Sequence, residues 1–202
     1  MSNVELTKEE IFRNEAVSAA QKLFQQYGLY KTTIEDIAKA MGRGKSTLYY
    51  YYKSKEEIFE AVIKKEILNT MELIKKAIDK EDTAEKKLIT YFATANEVIK
   101  NMINLYRVII VSGELADYPS FLNQLRKKHD AQEIQLIKDI LILGIKNNEF
   151  ISKLELEVDH VSYLIANAHR SLMVDLVIDD KFSNWNDNLS IMLEILVRGL
   201  RK

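Results

Sequence analysis

One proline and six glycines are the only strong backbone breakers in this chain of 202 residues. Tight turns between strands draw on those two residues for a fixed or a positive φ, so a sheet protein of this length needs many more of them. Long helices remain, and an all-α fold is predicted. Apolar residues at 47% and charged residues at 29% fit a folded chain with one sizeable core, or a small domain joined to a larger one. The absence of cysteine excludes disulfides, thiolate catalysis and cysteine metal ligands. The opening MSNVELTKEE has no basic region ahead of an apolar run. The longest stretch without a charged side chain, His160–His169, is ten residues, against the roughly 18 that a membrane span needs. A soluble, cytoplasmic protein with no membrane partner is expected.

Helical spacing organises the first quarter. Phe12, Ala16, Ala19, Leu23 and Tyr27 recur at three- and four-residue intervals, one face of a helix that Gly28 should stop. Thr33 reads as the N-cap of a second, short helix with Ile34, Ile37, Ala38 and Met41 inward, and Gly42 ends it. A third helix starts near Lys45 or Ser46. Two helices joined by a tight glycine turn are helix-turn-helix geometry. Net charge is −1, yet Lys31 to Lys55 carries six basic residues (Lys31, Lys39, Arg43, Lys45, Lys53, Lys55) against Glu35 and Asp36. A local excess of about +4 on an otherwise acidic chain suits contact with a polyanion, although a charge run can also be a solvated face.

The stretch MGRGKSTLYYYYKSKEE, Met41 to Glu57, admits two readings. As a phosphate-binding loop, G-x-x-x-x-G-K-[ST] after a buried strand, it fails three times. Its first glycine would fall on Lys39, the preceding segment has a helical pattern, and no later strand ends in an aspartate for magnesium. As a recognition helix it turns Leu48 and Tyr52 to the core and leaves Lys45, Ser46, Thr47, Tyr49, Tyr50 and Tyr51 on outer or half-outer faces. Four successive tyrosines cannot all be buried on a helix that advances about 100° per residue, so at least two project outward. Hydroxyl, aromatic and ammonium groups there suit phosphates and thymine methyls.

These residues resemble the TetR (TetR/AcrR-like) family of bacterial transcriptional regulators. Its pattern T-x-x-x-I-A-x-x-x-G-V-S-x-G-T-L-Y-x-Y-F-x-S-K-E-x-L is met by Thr33, Ile37, Ala38, Gly42, Thr47, Leu48, Tyr49, Tyr51, Lys53 to Glu56, and Ile58. Looser likenesses lie in YRVIIVSGELADYPSF and GIKNNEF. The resemblance implies a non-enzymatic regulator without a cofactor, a three-helix DNA reader over 1–55 and a helical effector-binding and dimerisation domain over 56–202. It implies that Thr33 caps its helix and touches a phosphate, and that Lys45, Ser46, Thr47, Tyr49 and Tyr50 enter the major groove or its edge. Tyr51 and Lys55 would hold the backbone. Arg43 and Gly44 depart from the pattern at the turn. Arg43 replaces a small apolar plug and either snorkels out or reaches a phosphate. Gly44 replaces a Ser/Thr cap, at a cost of only a few tenths of a kcal/mol.

Helices are predicted near 55–78, 83–104, 105–116, 119–147, 156–179 and 185–201. The last is apolar over more than half its circumference, with Trp185, Leu189, Met192, Leu193, Leu196, Val197 and Leu200 on one face and Ile191 and Ile195 on another. The helix before it carries Val161, Leu164, Ile165, Ala168, Leu172, Met173, Leu176 and Val177. Surplus apolar surface on a terminal pair predicts a homodimer through a four-helix interface involving Leu164, Ala168, Leu172, Ile191 and Ile195, the alternative being a central helix buried within a monomer. Tyr91, Phe92, Asn96, Ile99, Met102, Tyr106 and Ile110 describe either an apolar pocket with polar anchors or ordinary core. Arg107, His129 and His169 could meet a polar or anionic effector. His129, His160 and His169 share no i,i+3 or i,i+4 spacing, so no two-histidine metal site is expected. The function expected is a ligand-responsive repressor reading a palindromic operator on double-stranded DNA as a dimer. The alternatives are a sequence-indifferent DNA-packaging protein and a small nucleotide hydrolase using GKST.

Overall fold

The computed structural model describes residues 6–101, 119–179 and 185–202. Eight α-helices lie among them: α1 Lys8–Lys31, α2 Ile34–Ala40, α3 Lys45–Tyr51, α4 Lys55–Ile78, α5 Ala84–Asn101, α6 Pro119–Lys146, α7 Val158–Asp179 and α8 Trp185–Leu200, with a 3₁₀ turn at Ser152–Leu156. The all-α prediction holds. The helix expected at 105–116 lies outside the described residues, as do Met102, Tyr106, Arg107 and Ile110. None of the described helices is long and apolar enough to cross a membrane.

The chain divides into two compact units, Met1–Leu68 and Asn69–Lys202. The division falls inside α4 because Ile58, Phe59 and Val62 are buried in the first unit, where Phe59 meets Phe24 edge-on at 5.3 Å. Lys65 also donates to the Ser18 hydroxyl at 3.0 Å. In that unit α1 opens on a capping box, Thr7 with Glu10. Its buried face is Phe12, Ala16, Val17, Ala20 and Phe24, rotated from the expected stripe, and Tyr27 stays 52% exposed. Apolar spacing alone does not decide which of two overlapping stripes faces inward; the partners α2 and α4 do. Helical geometry breaks at Gly28, at φ 81°. The buried Thr32 hydroxyl donates to the Gly28 carbonyl at 2.7 Å, which fixes the corner into α2.

In the second unit α5, α6 and α7 form the body. Thr83 caps α5, its hydroxyl accepting from Lys86 N at 3.2 Å, and α6 begins at the chain's single proline, a residue suited to a first helical position. One apolar cluster joins Ile74 and Ile78 of α4, Leu88, Tyr91 and Phe92 of α5, Ile137 and Leu141 of α6, Ile165 of α7 and Leu193, Val197 and Leu200 of α8. The turn after α6 closes on Gly144, whose carbonyl accepts from Glu149 N at 2.9 Å and Phe150 N at 3.1 Å, with Asn148 at φ 59°. Phe150 is 1% exposed and its ring lies directly against Gly144. The same turn receives the C-terminal end of α8: Ile151 N donates to Leu200 O at 2.9 Å, and Arg201 grips Glu85 through Nε at 2.8 Å and Nη2 at 2.5 Å.

Candidate nucleic-acid interface

The helix-turn-helix is built from caps and one turn. Thr33 accepts from Asp36 N at 3.1 Å while Asp36 accepts from Thr33 N at 2.9 Å, a reciprocal cap that starts α2 where the pattern placed it. Hydrogen bonds from the Thr33 hydroxyl and backbone hold the Asp36 carboxyl below its usual range. Ile34, Ile37 and Ala38 are buried as expected, with Met41 half-buried. Gly42 takes φ 64°, where a β-carbon is disfavoured, and Arg43 N closes the turn on Ala38 O at 2.9 Å. Gly44 then caps α3 without a side-chain hydrogen bond.

Leu48 at 0% and Tyr52 at 4% exposure anchor α3 in the core. Arg43, Lys45, Ser46, Thr47, Tyr49 and Tyr50 are all exposed, Tyr50 to 82%. The turn brings the Lys45 ammonium onto Glu35 of α2, a hydrogen-bonded ion pair that depresses the Glu35 carboxyl, and the same ammonium lies 5.5 Å from the Tyr49 ring centroid. Glu35 gave no signal in the sequence, being ten residues from Lys45 and adjacent only through the fold. Both partners are about half exposed, so the pair is weak.

Tyr51 and Lys55 sit differently. The Tyr51 ring stacks on Phe12 at 4.2 Å, and its carbonyl accepts from Arg13 Nη1 at 3.0 Å. The Arg13 guanidinium also covers the Tyr52 ring at 5.1 Å. Lys55 turns its ammonium back to the protein, donating to Leu29 O at 2.7 Å. These contacts tie the far end of α3 and the start of α4 to α1, so α3 is a rigid part of its unit. Phe12 and Arg13 thus position α3, though neither belongs to the motif.

The second unit holds a buried polar cluster across α5, α6 and α7. Glu133 accepts from the Tyr91 hydroxyl and lies 3.4 Å from His169 Nδ1, while His169 Nε2 is 3.2 Å from Asn96 Oδ1. Tyr91, Phe92, Asn96, Glu133 and His169 are all buried. The Phe92 and His169 rings meet edge-on at 4.9 Å. Four residues expected near a pocket are thereby brought together, Ile99 packs against the core half-buried, and Glu133 is the member that sequence reasoning missed. His129, Asp130 and Glu133 lie within 4.8 Å of one another, although no spacing between histidines suggested it. The Arg170 guanidinium stands beside them, 3.0 Å from Asp130 and 3.8 Å from Glu133, as their counter-charge. Burial raises the Glu133 carboxyl, but hydrogen bonds from His169 and Tyr91 and the nearby histidine charges outweigh it, and the net direction is down. A depressed carboxylate adds stability that is complete above the ordinary value of 4.5 and is lost as pH falls through the folded value. Thermal melting across that acid range is expected to show a shallower loss in Glu133→Gln than in the parent; equal slopes would remove Glu133 from the acid response.

Residues 16–62 match the model for bacterial regulatory proteins of the tetR family. The HTH-type transcriptional repressor KstR2 of Mycolicibacterium smegmatis is 26% identical over 149 residues, 72% of this chain and 71% of its own. The fatty acid metabolism regulator protein of Bacillus subtilis is 24% identical over 184 residues, 91% of this chain and 93% of its own. The solved structure of the transcriptional regulator FadR from Bacillus subtilis in complex with stearoyl-CoA matches with a TM-score of 0.72 at 23% identity, covering 93% of this chain and 99% of that one.

Proposed function

We propose that this chain, a DNA-binding transcriptional regulator of the TetR family, is a cytoplasmic repressor that grips a palindromic operator as a homodimer and releases it when a small molecule occupies the second unit. The observation that carries the reading is the outer face of α3. Ser46, Thr47, Tyr49 and Tyr50 stand exposed on a short helix locked from behind by Leu48, Tyr51 and Tyr52. On this reading they enter the major groove, Arg43, Lys45 and Thr33 meet phosphates, and Tyr51 and Lys55 support the helix at the edge of the backbone.

Dimerisation is supported by apolar side chains that one copy leaves in water. Leu164 is 62% exposed, Ile191 56% and Ile195 66%, with Ala168 exposed and Leu172 half-buried on the same helix as Leu164. A two-fold contact through α7 and α8 covers them and sets two readers on half-sites one helical turn, or a multiple of it, apart. The FadR complex with stearoyl-CoA supports a small-molecule effector. Such a ligand regulates only through unequal affinity for the DNA-bound and free states.

Selection of bound duplexes from a random library tests the reading. An enriched inverted repeat, bound far more tightly than a scrambled duplex, is expected. Tight, salt-sensitive binding without enrichment would make the protein a packaging factor instead. Tyr50→Ala is expected to cost roughly 1–3 kcal/mol in operator binding with little change in melting, because its ring is 82% exposed and meets the Tyr51 ring edge-on at 5.0 Å at the surface. Full affinity in that variant would take Tyr50 out of the interface.

A further inference from the structure

A groove of about 660 Å³ runs between α5 and α8 in the second unit, apart from the exposed stripe of α7 and α8. On α5 its lining runs from Glu85 to Lys100 at helical spacing, about 22 Å at 1.5 Å per residue, so the space is elongated. Ile89 and Ala93 of α5 and Leu193 and Val197 of α8 make an apolar floor. Charges of both signs line its rim. Glu85 pairs with Arg201 and Glu194 with Arg198 at 2.6 Å, and Glu97 and Lys100 add one of each sign.

Asn96 adds the chemical preference. It lines the groove, is 5% exposed, and its Oδ1 faces His169 Nε2, while Nδ2 has no hydrogen-bond partner. Buried amide donors are rarely left unpaired, so an orphan donor on a residue that lines a groove calls for an acceptor that enters with the occupant as the side chain turns to meet it. An apolar floor, a rim without net sign and one unpaired donor together define that occupant.

We propose that the α5/α8 groove binds an elongated apolar molecule bearing a carbonyl or carboxylate oxygen, of the fatty acyl class, with that oxygen accepting from Asn96 Nδ2. The proposal rests on the effector reading above and gives it a location. The occupant lies against Leu193 and Val197, on the helix whose other side exposes Ile191 and Ile195.

Calorimetric titration of the full chain with decanoate, methyl decanoate and decylammonium tests it. Saturable binding of decanoate or its methyl ester is expected, the stronger of the two separating a free acid from an ester source, with no binding of decylammonium, which has no acceptor. Ala93→Phe, at an exposed helical position, is expected to fill the groove and weaken binding more than tenfold while melting like the parent. Asn96→Leu should weaken it roughly tenfold, the loss of one buried hydrogen bond. Absence of binding by all three probes, equal binding of decylammonium, or parental affinity in Ala93→Phe would each overturn the proposal. Operator selection needs no probe, so a protein that selects an operator but ignores the probes loses the groove and keeps the regulator reading.

Discussion

Gly144→Ala is expected to lower the melting temperature by about 5–10 °C, a net loss of roughly 2–3 kcal/mol for a chain of this size. On propensity alone the change should stabilise, since alanine is worth up to about 1 kcal/mol over glycine inside a helix. Packing reverses the sign. A β-carbon on Gly144 would overlap the Phe150 ring, with Cγ at 2.8 Å and two further ring carbons closer still. The ring cannot swing away cheaply, because Phe150 is 1% exposed and its neighbour Ile151 is hydrogen-bonded to Leu200 at the end of α8. Differential scanning calorimetry of Gly144→Ala, Phe150→Leu and the double variant checks the cause. The double variant should lose less than the two single losses added, since a smaller side chain makes room for the methyl group. A raised melting temperature in Gly144→Ala would mean that the contact does not exist.

Ile195→Glu is expected to leave each chain folded, to halve the mass in sedimentation, and to weaken operator binding more than a hundredfold. Ile195 is already 66% exposed in one copy, so a charge there meets water and not the core. In a two-fold interface the same residue is covered in both partners, and two unpaired carboxylates are desolvated together, a penalty of about 3 kcal/mol or more. Operator affinity falls with the dimer because one short recognition helix reads only one half-site. A variant that sediments and binds like its parent would place the interface elsewhere; a parent that is itself monomeric would end the dimer proposal.

The parts of the molecule legible in the sequence share one property: their cause lies within a few residues. Thr33 caps α2 through Asp36, three positions on, and Gly42 turns the chain through its own φ. Leu48 and Tyr52 face inward while Tyr50 faces out because helical rotation separates neighbours on one short segment. A helix such as α4, with Ile58 and Phe59 buried in one unit and Ile74 and Ile78 in the other, carries no break in its sequence to mark where a unit ends. The division between the two units falls inside α4.

Periodicity determined that this chain is helical, where its helices cap and turn, and which face of α3 is left to water, all from interactions no longer than a helical turn. It could not assign Glu35 to Lys45, Phe12 and Arg13 to the tyrosines, or Glu133 to Tyr91 and His169, since those partners are ten to forty-two residues apart. An exposed lysine and one held by a carboxylate have the same letter, and so do an asparagine with both ends satisfied and one with an orphan donor. Only packing helices against one another chose the buried face of α1, pressed Phe150 onto Gly144 and left Asn96 Nδ2 without a partner. Those outcomes depend on the distance between atoms remote in the chain, which spacing along one helix does not encode.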